Sequence, residues 1–306
     1  MTRACAPLFS ATSTAARPPS IQVGTGLVSR GSHAGHTSLH QTDCVDSGEF
    51  APRESFDRVP DIYHGIRPGY PPALFDDLFA LLPTRPHILE VGPGTGQATR
   101  NLLSHGATVH AIEIGPGMAA KLRKVSPTKG LTVTVGNFEE VPAEQVSYDC
   151  VFSASAYHWI EPSAQLDRPA GLLKPVGVVA IVDLIQVDSP SDRGFYAAAQ
   201  PIYERYGQGH IGPPSPQREN VDPAIRVALQ RDDRFSEVRV LRYDWDQTYT
   251  AAQFRQLMLS DSRRQLMEPV ARQGLVDEME AFIRDHFDDR VTRPLVAALT
   301  TATRVP

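Results

Sequence analysis

The 306-residue chain is poor in cysteine and in lysine, and it lacks any long apolar run. Its three cysteines, Cys5, Cys44 and Cys150, are too few and too scattered for a disulfide framework or a thiolate metal centre. No metal site is therefore expected, and Cys150 reads as a small core residue of a reduced, cytoplasmic protein. The most apolar stretch, Val176 to Leu184, is strand-length and interrupted by Asp183, well short of the roughly 18 residues of a membrane span. No membrane partner follows. The formal charge is -5 and no Lys/Arg run stands out, so the basic stripe of a nucleic-acid binder is missing. With 41% hydrophobic and 21% charged residues, what remains is an ordinary globular composition with enough apolar side chains for a sizeable core. Oligomeric state leaves no mark on the sequence.

Residues 1–53 differ from the rest. They are rich in Ser, Thr, Ala, Gly and Pro without apolar periodicity, and are expected to be a disordered tail. Arg3, Arg17 and Arg30 precede the first acid, as in a transit peptide, but Pro18-Pro19 and three glycines oppose the amphipathic helix such a peptide needs. From residue 54 the pattern is that of one globular domain. Apolar residues at helical spacing predict a helix over 71–82, followed by a buried strand at His87 to Val91. Strands are predicted at Thr108–Ile114, Leu131–Val135, Tyr148–Ser153 and Val178–Leu184, with helices ending near Leu103 and spanning Met118–Val125. Later strands are expected at Val238–Tyr243 and Leu295–Thr301, and helices at Ala251–Met258 and Val276–Phe287. Strands alternating with helices imply βαβ units and a parallel sheet. Segments 188–233 and 250–290 are read as cap elements on the acceptor side.

The chemistry-bearing segment is Glu90-Val91-Gly92-Pro93-Gly94-Thr95-Gly96-Gln97, at a strand-to-helix turn. Glycine is required where backbone must turn sharply and a ligand must approach closely. Gln97 stands where the dinucleotide fingerprint has its third glycine. Glu90 is placed to hold a cationic group, and Glu113, at the end of the second strand, to accept both hydroxyls of a ribose.

These residues resemble the first motif of class I S-adenosylmethionine-dependent methyltransferases. Gly136-Asn137-Phe138 is similar to the family's adenine-edge motif, with Asn137 where Asp is usual, and Tyr148–Ile160 resembles its fourth strand and following loop. That last segment, with Tyr63–Pro71 and Tyr249–Met267, is similar to a bacterial small-molecule subgroup related to trans-aconitate methyltransferase. The resemblance covers about residues 54–306. It implies an α/β, Rossmann-like, seven-stranded, mostly parallel sheet with helices on both faces and extra helices capping its carboxyl edge. The implied cofactor is S-adenosyl-L-methionine, held by Tyr63, Arg67, Glu90, Gly92, Gly94, Gly96, Gln97, Glu113, Asn137, Phe138 and Ser153. Arg67, helped by the Tyr63 hydroxyl, is expected to pair with its carboxylate.

Tyr157, His158 and Trp159 are expected to wall an acceptor pocket. His158 is the candidate base, because imidazole titrates near neutral pH. Asp261 and Arg263 are further acceptor-side candidates. The motif Asn/Asp-Pro-Pro-Tyr/Phe of amine-modifying nucleic-acid methyltransferases is replaced by Ser153-Ala154-Ser155-Ala156, which with the negative charge favours a small-molecule acceptor; methylation on oxygen is the expectation. Two alternatives stay open: an NAD-dependent oxidoreductase on a Rossmann sheet, against which Gln97 argues, and a non-catalytic module that binds S-adenosylmethionine.

Overall fold

The structure, a computed structural model, describes residues 56–142, 147–209 and 214–306. The tail expected over 1–53 lies outside the described residues. Seven strands form one sheet: β1 (His87–Val91), β2 (Thr108–Glu113), β3 (Leu131–Val135), β4 (Tyr148–Ala154), β5 (Leu173–Gln186), β6 (Phe235–Thr250) and β7 (Arg290–Arg304). Their order is β3-β2-β1-β4-β5-β7-β6. β1 to β5 run parallel, and β7 inserts antiparallel between β5 and the edge strand β6. The order reverses at β1, so β1 and β4 diverge to their helices with a crevice beyond their carboxyl ends, where ligands of such sheets bind. The seven-stranded, mostly parallel arrangement expected from the sequence is thus present.

The helices are α1 (Pro60–Ile66), α2 (Pro72–Phe79), α3 (Thr99–Ser104), α4 (Pro116–Val125), α5 (Ala164–Leu172), α6 (Phe195–Arg205), α7 (Ala224–Arg231), α8 (Ala251–Leu259), α9 (Ser262–Gln265) and α10 (Pro269–His286). β1 is apolar apart from Glu90 and its histidine end, because both faces are covered. On one face Leu74, Leu78, Leu102 and Leu122, from α2, α3 and α4, meet Val109, Phe152 and Val182. On the other, Leu172 and Leu229, from α5 and α7, meet Leu89, Val151 and Ile181. A separate cluster joins α1, α6, α8 and α10. At its centre Phe195 sits edge-on to Phe254 and Phe287, ring centroids 5.2 and 5.3 Å away. Within 188–233, α6 therefore belongs to this cluster while α7 packs on the sheet.

Departures from the sequence reading have local causes. Helices α1, α5, α6, α7 and α9 were not anticipated: α1 and α9 are too short to show a period, and α5 and α6 carry Pro169 and Pro201 inside them. β5 begins five residues early, before an irregularity in its pairing with β4 where the exposed Val176 adopts φ +59°. β6 and β7 run beyond their predicted spans because polar residues alternate along β6. His110 is structural, its ring nitrogens 2.7 Å from Tyr148 Oη and 2.9 Å from Thr134 Oγ1.

Candidate active site

Beyond β1 the chain turns through Gly92, Gly94 and Gly96, all in the left-handed region that only glycine enters without strain. The three differ in purpose. A Cβ on Gly92 would stand 2.5 Å from that of Ala156, and one on Gly96 2.7 Å from Leu122 Cδ1, so these two permit packing. A Cβ on Gly94 would meet only Met118 and Tyr63, both at 3.6 Å, on the wall of a cavity.

That cavity, about 440 Å³, lies over the carboxyl ends of β1, β2 and β4. Glu113 organises its floor. One carboxylate oxygen accepts the Gly94 N–H and the other the Gly115 N–H, each at 2.9 Å, pinning the glycine loop to the start of α4. Burial raises the Glu113 pKa, opposed by these two donors. Each oxygen keeps a lone pair for an incoming hydroxyl. Asp57 completes the turn: its Oδ1 accepts the Met118 N–H at 2.9 Å.

Glu90 is buried, and its Oε2 has no hydrogen-bond partner among the described residues. Burial pushes its pKa up to about 8. A buried carboxylate left this way is a place made for a cation. Arg67, also lining the cavity, stacks on Tyr63, 5.0 Å from the ring centre, and donates to Ser260 Oγ (3.0 Å) and Ser260 O (2.8 Å). Ser260 therefore fixes the guanidinium while leaving donors free.

Most residues named from the sequence line this one cavity, including Gln97, Phe138, Trp159 and Asp261; Gly96, Ser153, Tyr157 and Arg263 do not. Ser153 is buried and donates to Val91 O at 2.8 Å, stitching β4 to β1. The Tyr157 hydroxyl is spent on Gln165 O, which ties the loop after β4 to α5. Asn137 lines the cavity, but its amide turns back on its own loop, accepting the Glu139 N–H at 3.1 Å. His158 is exposed at the mouth beside Trp159, 4.8 Å between ring centres, and makes no hydrogen bond among the described residues. What burial it has lowers its pKa. We expect Ser153→Ala to cost about 1–2 kcal/mol of stability, read by denaturant unfolding, with ligand affinity within about twofold of wild type.

Among the lining residues not singled out from the sequence are Asp57, Tyr70 and Arg293. Asp57 carries no local signal. Tyr70 lies in the Tyr63–Pro71 segment and donates to Ser155 Oγ at 3.1 Å; Ser155 itself holds φ +56°, an unusual conformation for a residue with a Cβ. Arg293 stands in the polar first part of β7, just before the apolar run that starts at Leu295, and carries no local signal either.

Residues 89–181 match the model of a methyltransferase domain. This stretch runs from β1 to the middle of β5 and contains the sequence-named cleft residues from Glu90 to Trp159. The chain is 34% identical over 128 residues to an uncharacterized methyltransferase of Mycobacterium tuberculosis, covering 42% of this chain and 51% of that one. A methyltransferase-like protein of Schizosaccharomyces pombe is 33% identical over 124 residues, 39% of this chain and 47% of that one. The chain spans about half the length of these curated relatives. Among solved structures, one from Anaeromyxobacter dehalogenans, provisionally assigned as a type II methyltransferase, superposes with a TM-score of 0.52 at 21% identity, over 78% of this chain and 99% of that one. This likeness shows a Rossmann-like fold. No helix among the described residues is long and apolar enough to cross a membrane.

Proposed function

We propose that the protein transfers a methyl group from S-adenosyl-L-methionine to a small-molecule acceptor, with oxygen as the atom methylated. The observation that carries this reading is the presence, in one cleft, of a buried carboxyl group with one unpartnered oxygen and a carboxylate anchored to the glycine loop. Glu90 offers a counter-charge for an ammonium, Glu113 accepts ribose hydroxyls, and Arg67, held by Ser260, faces a carboxylate. The ligand has no phosphates, so a loop that permits close approach suffices, and Gln97 in place of a third glycine supports this against a dinucleotide. Match of the central residues to a methyltransferase domain points the same way.

When bound, the cofactor supplies a methyl carbon activated by its sulfonium and departs as a thioether. The protein's part is then to position and to exclude water. Trp159 and Phe56, 6.4 Å apart and edge-on, close the mouth beside His158. His158 accepts the acceptor's proton on a ring nitrogen as the new O–C bond forms. Its lowered pKa keeps the imidazole neutral at pH 7, so the acid limb of the rate profile lies below the ordinary histidine value.

A tritiated-methyl transfer assay over a panel of hydroxyl and carboxyl acceptors tests the activity. With an acceptor in hand, His158→Ala is expected to lower kcat by about 10²-fold with cofactor affinity intact. Equal rates would reassign His158 to the pocket wall.

A further inference from the structure

A second cavity, about 740 Å³, opens next to the first, and Arg67, Asp261 and Arg293 line both. Its apolar wall comes from α8, through Phe254, Leu257 and Met258, and α6 adds the rings of Tyr196 and Tyr203. At the junction stands Arg293 of β7. Its Nε donates to Gln186 Oε1 at 3.1 Å, and no carboxylate among the described residues lies in ion-pair range of it.

The acids on the walls are answered elsewhere. Asp261 pairs with Arg264 at 3.1 Å, Asp192 accepts the Gly194 N–H at 2.8 Å, Asp188 accepts from Gln217 at 2.7 Å, and Glu204 is exposed. Of the other cations, Arg264 is neutralised by Asp261, Arg67 is held by Ser260, and Arg263 is exposed. Arg293 thus keeps free donors toward the junction. The Tyr196 hydroxyl is buried, without a partner among the described residues; burial raises its pKa and keeps it a protonated donor, and Arg293 is close enough to oppose that rise in part. An arginine without a counter-ion beside an unpartnered hydroxyl, over an apolar wall, is a recognition site for one anionic group on an apolar body.

Resting on the methyltransferase reading, we infer that the second cavity is the acceptor chamber, and that Arg293 with Tyr196 selects an acceptor having an aromatic or aliphatic body and a single carboxylate or phosphate. A small polyanion fits this site poorly, because it would leave two or more charges against Phe254, Leu257 and Met258. Arg293 is a specificity-determining residue that holds the acceptor, while the cofactor's carboxylate is assigned to Arg67.

The test is calorimetry on the full chain saturated with S-adenosylhomocysteine, titrated with 3-phenylpropionate, phenyl phosphate, 3-phenylpropanol and citrate. At least one aryl anion is expected to bind tenfold or more tighter than the alcohol and than citrate, and which one binds separates carboxylate from phosphate. Arg293→Gln is expected to erase the preference for anion over alcohol while S-adenosylhomocysteine affinity stays within about twofold; Arg293→Lys restores part of it. Tyr196→Phe should weaken the anion by a smaller factor. Equal binding of anion and alcohol, tighter binding of citrate, no binding of any probe, or a preference that survives Arg293→Gln overturns the inference. Failure of S-adenosylhomocysteine itself to bind overturns the methyltransferase reading, and this inference with it.

Discussion

Gly94→Arg is expected to abolish binding of S-adenosyl-L-methionine while the protein stays folded. The space around Gly94 explains both halves. Its Cβ direction is open, with Met118 and Tyr63 at ordinary contact distance, so a long side chain enters the cavity instead of the core. The remaining cost is the left-handed backbone at φ +58°, about 1–2 kcal/mol for a residue with a Cβ. Gly92→Ala is the opposite case: a methyl group 2.5 Å from Ala156 must push the β4 loop away, and thermal stability should drop along with binding. Glu113→Ala removes the acceptor of two backbone N–H groups, so cofactor affinity should fall by 10²-fold or more, with about 1–3 kcal/mol of stability lost. Calorimetric titration beside thermal unfolding separates the three. A Gly94→Arg protein that binds normally would remove the glycine loop from the site.

The second large effect is a proton. Glu90 has a pKa of about 8 in the free protein, so it is mainly protonated at pH 7, whereas its role beside an ammonium requires the carboxylate. Binding of S-adenosyl-L-methionine should therefore release a proton below pH 8, and affinity should rise with pH toward 8, by up to about tenfold per unit. Calorimetry in buffers of different ionisation enthalpy counts the protons directly. Glu90→Gln should abolish the release.

Stability of the free protein should run the other way. Glu90's folded pKa lies above its unfolded value, so its contribution is fully present below about pH 4.3 and is lost as pH rises through 8. Glu113, also raised, acts in the same direction. The free wild type should thus melt lower at pH 8 than at pH 5, with a weaker trend in Glu90→Gln. A pH-independent affinity with no proton released would mean that Glu90 meets no cation.

Parts of the molecule with strong local periodicity were legible in advance. β1 and β3 fall at their predicted residues: β1 reads as a buried apolar run, and the edge strand β3 as apolar residues alternating with Thr. Glu90, Glu113 and the glycines were placed in one cleft because a strand-to-helix turn and the following strand end are close in any such sheet. Ser153 and Tyr157 show the limit. Their positions beside the cleft were readable, but their hydroxyls point to Val91 O and Gln165 O, and side-chain direction is set by tertiary packing. Asn137 is similar: its amide found a nearer partner in its own turn. The second cavity was out of reach for another reason. Arg293, Tyr196 and Phe254 come from β7, α6 and α8, and only the packing of α6 and α8 in one apolar cluster brings them together.

Titration of the full chain with S-adenosyl-L-methionine, S-adenosylhomocysteine and NAD at pH 8 tests the central claim most directly. One-to-one binding of the first two in the micromolar range, with no heat from NAD, is the expected result. Binding of NAD, or of none of the three, would contradict it.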